Sequence, residues 1–251
     1  MGAEASGAVT IPPPQLPRGA VPAIVATFAG GLWLDHAFGI GGQVVASVWA
    51  WAVFLWLLGR VDRITRGAML LCVSIATFGE MVLSLGWGLY IYRFENVPPF
   101  VPPGHVLLFL LGLRLAQRLP RQAVPGIAAA AVGYGVLALF TGRDTTSTVL
   151  ALLLMLCLAV GRNRRLYVSV FMLALALELY GTALGSWRWE PAVPGLPLAS
   201  ANPPLCAGTF YCALDLLIAL GLRIGARFGV GTRPSRISET QAFAVMSSRE
   251  G

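Results

Sequence analysis

Eight apolar runs organise the chain, at roughly 21–40, 43–59, 67–92, 104–119, 122–141, 146–161, 165–187 and 204–226. Each approaches the ~20 residues that a helix needs to cross a hydrocarbon core of about 30 Å. Two runs, 104–119 and 146–161, are short, which suits tilted or re-entrant segments. The pattern predicts an all-α integral membrane protein, a bundle of about eight transmembrane helices over residues 21–228. Pro12, Pro13, Pro14 and Pro17 cannot continue a helix, so 1–20 reads as a disordered cytoplasmic arm. The Gly, Ser, Thr and Arg-rich stretch 229–251 reads as a flexible cytoplasmic tail.

The polar connections orient the bundle. Arg60, Arg63 and Arg66 follow the second run, and Arg114, Arg118 and Arg121 lie at the end of the fourth. Arg162, Arg164 and Arg165 follow the sixth, and Arg223, Arg227, Arg233 and Arg236 follow the last. The alternate connections carry one arginine each, Arg93, Arg143 and Arg188, each with a nearby acid. The positive-inside rule then places both termini in the cytoplasm and the chain in the plasma (inner) membrane as a multi-pass protein.

Composition changes the picture in two ways. Of 251 residues 57% are hydrophobic and 12% charged, with mean hydropathy +0.74, against about a quarter charged in a soluble domain. A soluble fold of this size is excluded. The net charge of +7 comes from 18 arginines and no lysine. That absence excludes a retinal Schiff base, a pyridoxal phosphate enzyme and a Walker-type phosphate loop. Because the arginines sit between apolar runs, they mark topology, and no nucleic-acid partner is expected. Cys72, Cys157, Cys206 and Cys212 form neither a CxxC pair nor a zinc pattern.

A faint repeat accompanies the runs. Tyr90-x-Tyr92 ends the third and Trp187-x-Trp189 ends the seventh, 97 residues later. Each is preceded by a membrane acid, Glu80 or Glu178, and followed by a Pro-Pro pair before the next run. Runs four apart share an orientation, so the repeat would be a parallel 4+4 arrangement about the membrane normal.

The candidate chemistry lies in polar groups inside the apolar runs. Glu80, Glu178 and Asp215 lie roughly 13–18 Å from the outer helix ends at 1.5 Å per residue. A charge at such depth faces protein or water rather than lipid. Three acids at one depth predict an outward-facing polar chamber in which Glu80, Glu178 and Asp215 do acid–base work. Thr77, Glu80, Ser84 and Trp87 share a helical face, and Gly181 and Gly185 make a small-residue face beside Glu178. The only histidines, His36 and His105, lie on the same outer side and join the catalytic candidates. They do not share ligand spacing on one helix, so neither a metal nor another cofactor is expected. Trp87, Tyr90, Tyr92, Asn96, Trp187, Trp189, Asn202 and Tyr211 are the substrate-binding candidates. The proline-rich connections 93–103 and 188–203 would be stiff lids.

The segment Glu178-x-x-Gly181-x-x-x-Gly185-x-Trp187-x-Trp189 resembles the acid–glycine–glycine–aromatic pattern of bacterial membrane carotenoid-biosynthesis proteins, the carotenoid hydratases and membrane lycopene cyclases. Tryptophans stand where that pattern has tyrosines, and the spacing after Gly185 is shorter. The resemblance covers about a dozen residues. It implies a polytopic enzyme that protonates an isoprenoid double bond without an organic cofactor, with Glu178 as the motif acid.

Three functional classes fit these residues. The first is a membrane enzyme, a hydratase, cyclase or isomerase, acting on an isoprenoid, carotenoid or other lipid dissolved in the bilayer. Its aromatics would stabilise a carbocation through cation–π contact. The second is a proton- or cation-coupled transporter or channel. The third is a non-catalytic assembly subunit whose polar groups meet a membrane-protein partner or a second copy. The apolar inner halves of the acid-bearing runs favour a site open to one side, and so the enzyme.

Overall fold

The computed structural model describes residues 16–161 and 163–227. Residues 1–15 of the expected arm over 1–20, the tail over 229–251 and Arg162 lie outside the described residues, as do Arg233 and Arg236. Among the described residues the fold is all-α, with seven α-helices and one two-stranded pair. In order they are α1 (Ala20–Leu58), α2 (Arg63–Glu80), β1 (Tyr90–Tyr92), α3 (Val101–Arg118), α4 (Ala123–Thr141), α5 (Thr145–Val160), α6 (Arg164–Ala183), β2 (Trp187–Trp189) and α7 (Thr209–Arg227). A π-helical turn, Met81–Gly86, continues α2.

The expectation of eight separate helices is corrected here. Runs 21–40 and 43–59 form one helix, α1, broken at Gly39 (φ 57°, ψ −135°). A β-carbon favours neither angle, so the break needs glycine. Straight, 39 residues would span about 58 Å, yet a β-carbon on Gly31 would lie 3.6 Å from that of Ala46. The two halves of α1 therefore double back into a hairpin. Gly30 lies under the Trp49 indole and Gly42 against the Leu34 carbonyl, approaches that larger residues would block.

Among the described residues four helical segments are long and apolar enough to cross a membrane: α1, Arg63–Gly86, α4 and α6. The apolar helix α5 is shorter at 16 residues. Large apolar side chains such as Phe140 (84% exposed), Phe78 (69%) and Leu152 (68%) point outward. Water would penalise that surface heavily, and a bilayer solvates it. The protein is a multi-pass membrane protein.

Local chemistry fixes the helix ends. Asp62 caps α2, its carboxylate accepting from the Ile64 and Thr65 amides and from the Thr65 hydroxyl. Asn163 caps α6 through the Leu166 amide, and Gly142 (φ 69°) ends α4 in the left-handed region. Asp144, fully buried in the turn between α4 and α5, accepts from Tyr134, Ser147 and the Ala201 amide.

Helices α2, α3, α6 and α7 form the centre: α3 packs on α2 and α6, and α7 on α2 and α6. The α1 hairpin lies against α3, and the α4–α5 hairpin against α6 and α7. The order helical hairpin, helix, strand, helix thus occurs twice. The strands pair antiparallel, Tyr90 opposite Trp189 and Tyr92 opposite Trp187. A shift of 97 residues carries Tyr90 onto Trp187 and Tyr92 onto Trp189. The pairing is therefore unchanged when the halves are exchanged.

Candidate functional site

Successive residues of a strand point to opposite faces. In β1 and β2 the outer members of each three-residue strand, Tyr90, Tyr92, Trp187 and Trp189, therefore point one way, and all four are buried. Each strand serves the glutamate of the helix before it. Tyr90 and Tyr92 donate to one oxygen of Glu80, Oε2, at 2.9 and 2.8 Å. Trp187 and Trp189 donate their indole N–H groups to Oε2 of Glu178 at 2.8 and 3.0 Å. Burial, reinforced by the Glu80 charge, pushes the Tyr90 and Tyr92 hydroxyls well above the usual tyrosine range. Both stay protonated and act as donors.

Glycine makes the second half possible. A β-carbon on Gly181 would fall inside the Trp187 ring, so only glycine lets that indole cross α6 to reach Glu178. The small-residue face expected to admit a ligand or a helix admits the protein's own tryptophan. Gly185, at φ 68°, makes the turn into β2.

The free oxygen of Glu80 meets histidine. His105 Nε2 lies 3.4 Å from Glu80 Oε1. The other ring nitrogen lies 3.0 Å from the Val101 carbonyl, which can only accept, so Nδ1 carries a proton. The remaining ring nitrogen, Nε2, therefore faces Glu80 Oε1. Tyr211 stacks on the His105 ring at 5.0 Å and 13°.

Glu80, Glu178, His105, Tyr211 and the four strand aromatics all line one cavity of about 230 Å³. Its remaining wall is apolar or small, from Phe28, Gly31 and Ala46 of α1, Ala76 and Gly79 of α2, and Leu214 of α7. A cavity of about 150 Å³ suffices for benzene. This one therefore accommodates a branched hydrocarbon segment or a substituted six-membered ring, not an entire long lipid.

Other candidates lie elsewhere. Asp215 is not in the cavity wall; it is buried beside Tyr167 and Cys72. It shares a depth with the glutamates but is turned about 100° around α7 from Leu214. Trp87 is 40% exposed and donates to the Pro194 carbonyl at 2.8 Å. Seven residues of α-helix would align it with Glu80, but the wider π-helical turn between them rotates it away. His36 lies outside the cavity, with Nδ1 2.7 Å from the Leu184 carbonyl and 3.3 Å from Arg93. Asn96 donates to Gln43, and Asn202 accepts from the Trp189 amide. Both hold connections in place rather than face the cavity. Among the described residues no three His, Cys, Asp or Glu side chains gather as a metal-binding group.

Sequence reasoning missed the contribution of α1. Its signal was the pairing of Gly31 with Ala46 and Ala50, small residues on the facing sides of two adjacent apolar runs. It also missed Arg93, which packs beside Asp35 (3.8 Å) and donates to the Gly185 (3.0 Å) and Asp35 (2.8 Å) carbonyls. That guanidinium ties the α1 turn, β1 and the end of α6 into one rim above the cavity.

The chain matches no protein-family model, no curated protein and no solved structure. Fold and site together define a multi-pass helical membrane protein with two aromatic-clamped glutamates in an apolar cavity.

Proposed function

We propose that the protein is an integral-membrane enzyme that moves protons to and from the double bond of a hydrophobic, bilayer-dissolved substrate. The observation that carries this reading is the unequal treatment of two carboxyl groups in one apolar cavity. Both accept two hydrogen bonds on one oxygen, but only Glu80 has a histidine nitrogen, His105 Nε2, 3.4 Å from its other oxygen. The imidazole gives Glu80 a group that can return a proton to it, which suits a proton donor. Glu80 and His105 are the acid pair, which leaves Glu178 as base and counter-ion, and Asp215, outside the cavity, takes no part in the chemistry.

In the proposed step the proton leaves Glu80 Oε1 for one carbon of a C=C bond. The π electrons form the new C–H bond and leave a cation on the other carbon. The Glu178 carboxylate and the faces of the surrounding aromatics stabilise that cation. Loss of a different proton to Glu178 gives an isomer, and prior attack by a second double bond gives a ring. Addition of water, with its spare proton passing to Glu178, gives an alcohol. No electrons are gained or lost overall, so the chemistry calls for no redox cofactor. A branched isoprenoid or carotenoid end group matches the size and apolarity of the cavity and forms the tertiary cation most readily.

The repeated element order and exchange-invariant strand pairing support a parallel duplication in which each half supplies one glutamate and two aromatics. The arginine-bearing helix ends, opposite the β1–β2 end, support a cytoplasmic assignment for that side of a plasma (inner) membrane. The transport reading draws its support from Asp215, one turn beyond Tyr211 on α7 and away from the cavity. Isotope labelling separates the two. Membranes containing the protein, given an isoprenoid polyene in deuterated water, should place deuterium on carbon; an enzyme-free control should not. Proton-coupled solute uptake without carbon-bound deuterium would favour transport.

A further inference from the structure

The arginine-bearing side holds a second site, which none of the proton chemistry uses. A groove of about 820 Å³ runs between the start of α4, the end of α5 and the start of α6. Arg121, Arg164 and Arg165 line it, with Asn163. Its floor is apolar, with Val124 and Ala128 from α4 and Met155 and Leu158 from α5.

The arginines are incompletely satisfied by protein. Arg164 donates its Nε to the Leu158 carbonyl at 2.9 Å, which leaves its terminal nitrogens. Arg165 donates one terminal nitrogen to the Gln117 carbonyl at 2.8 Å. Its Nε is closed off from solvent and has no partner among the described residues. Arg66 and Arg60, at the α1–α2 connection, are differently spent: Arg66 donates to the Leu58 carbonyl and Arg60 lies over the Trp56 ring. The N-termini of α4 and α6 both open on the groove and add positive potential. Among the described residues no carboxylate lines it.

The groove also continues into the lipid-facing surface. Met155 is 42% exposed, and Leu152 and Val149 extend the same outward stripe down α5. From residue 159 to 149 that stripe is about 15 Å long, a large part of one acyl chain. We propose that this groove binds an anionic phospholipid, its phosphate between Arg121 and Arg165 and one acyl chain along α5. Free phosphate could use the arginines but not the apolar floor, and a zwitterionic lipid lacks the net charge that three guanidinium groups favour.

The full chain in nanodiscs of mixed phosphatidylglycerol and phosphatidylcholine tests this, read by native mass spectrometry of retained lipid. Wild type should retain phosphatidylglycerol preferentially. Arg121→Gln with Arg165→Gln should lower that preference about thirtyfold, whereas Arg60→Gln should leave it unchanged. Circular dichroism confirms that each variant is folded, and Arg121→Gln alone gives a milder second reading. Equal retention of both lipids by wild type, or the same loss in Arg60→Gln, would overturn the proposal. Displacement of phosphatidylglycerol by millimolar inorganic phosphate would overturn it in favour of a free-anion site.

Discussion

Tyr90 and Trp189 face each other across the paired strands, ring centroids 4.9 Å apart, and each donates to a different glutamate, Glu80 and Glu178 respectively. Six backbone positions, three per strand, thereby set the spacing of two carboxyl groups carried by separate helices. The strand pair is the link between local sequence and cavity chemistry: it turns two alternating aromatic pairs into donors aimed at α2 and α6.

The first prediction concerns those donors. Tyr92→Phe keeps the ring and removes one hydrogen bond to Glu80. Turnover should fall about tenfold, equivalent to about 1.4 kcal/mol, with little change in the amount of folded protein. Product formation per mole of membrane-extracted protein measures it, and unchanged turnover would mean that the tyrosines only pack.

Gly181→Ala should be far more damaging than its size implies. The added methyl occupies the Trp187 ring position, so either α6 shifts or the indole leaves Glu178. Overpacking of this kind costs about 1–3 kcal/mol. Gly133→Ala, where the added methyl meets open space, should be neutral or stabilising by about 0.5–1 kcal/mol. Thermal unfolding in detergent compares the two, and tryptophan fluorescence should shift only in the first.

Arg93→Ala should loosen the rim. It leaves the Asp35 carboxylate, 2% exposed, with only Ser186 and Gln43 as partners, and removes donors from the Gly185 and Leu184 carbonyls. Breaking a buried pair on one side costs about 3 kcal/mol. Denaturation in mixed micelles should register it, and a loss comparable to a surface substitution would contradict the rim's role.

Asp62 gives the acid limit of α2. Slight burial raises its pKa, but the Thr65 hydroxyl and the Thr65 and Ile64 amides outweigh this and hold it below its ordinary 3.8. A depressed carboxylate stabilises the fold above its unfolded pKa, and that contribution disappears as pH falls through the folded value. Asp62→Ala should therefore cost about 1 kcal/mol at pH 7 and progressively less below pH ~4. Melting temperatures of both proteins from pH 7 downward test the convergence.

Much of this architecture can be read along the chain, because apolar runs and arginine clusters report length and order directly. The runs ending in Tyr90-x-Tyr92 and Trp187-x-Trp189 also expose the acid–aromatic units that form the site. Azimuth and closure are less legible. Depth alone groups Asp215 with Glu80 and Glu178, but a residue one position from Leu214 points about 100° away from the cavity. A π-helical turn leaves no mark in hydropathy, so Trp87 looks aligned with Glu80 when it is not. Gly39 and Gly42 mark only the end of one run and the gap before the next; hydropathy does not show that the first frees the backbone to reverse and the second lets the two halves touch. Gly181 shows smallness without showing what it makes room for.

The central claim is that Glu80 and Glu178 are the proton donor and acceptor for one hydrophobic substrate. Cells making wild type, Glu80→Gln or Glu178→Gln at equal membrane levels can be compared by mass spectrometry of their isoprenoids, pigments and lipids. The account predicts that wild type converts at least one unsaturated isoprenoid or lipid, and that both variants leave it unconverted. Wild-type conversion in both variants would contradict it.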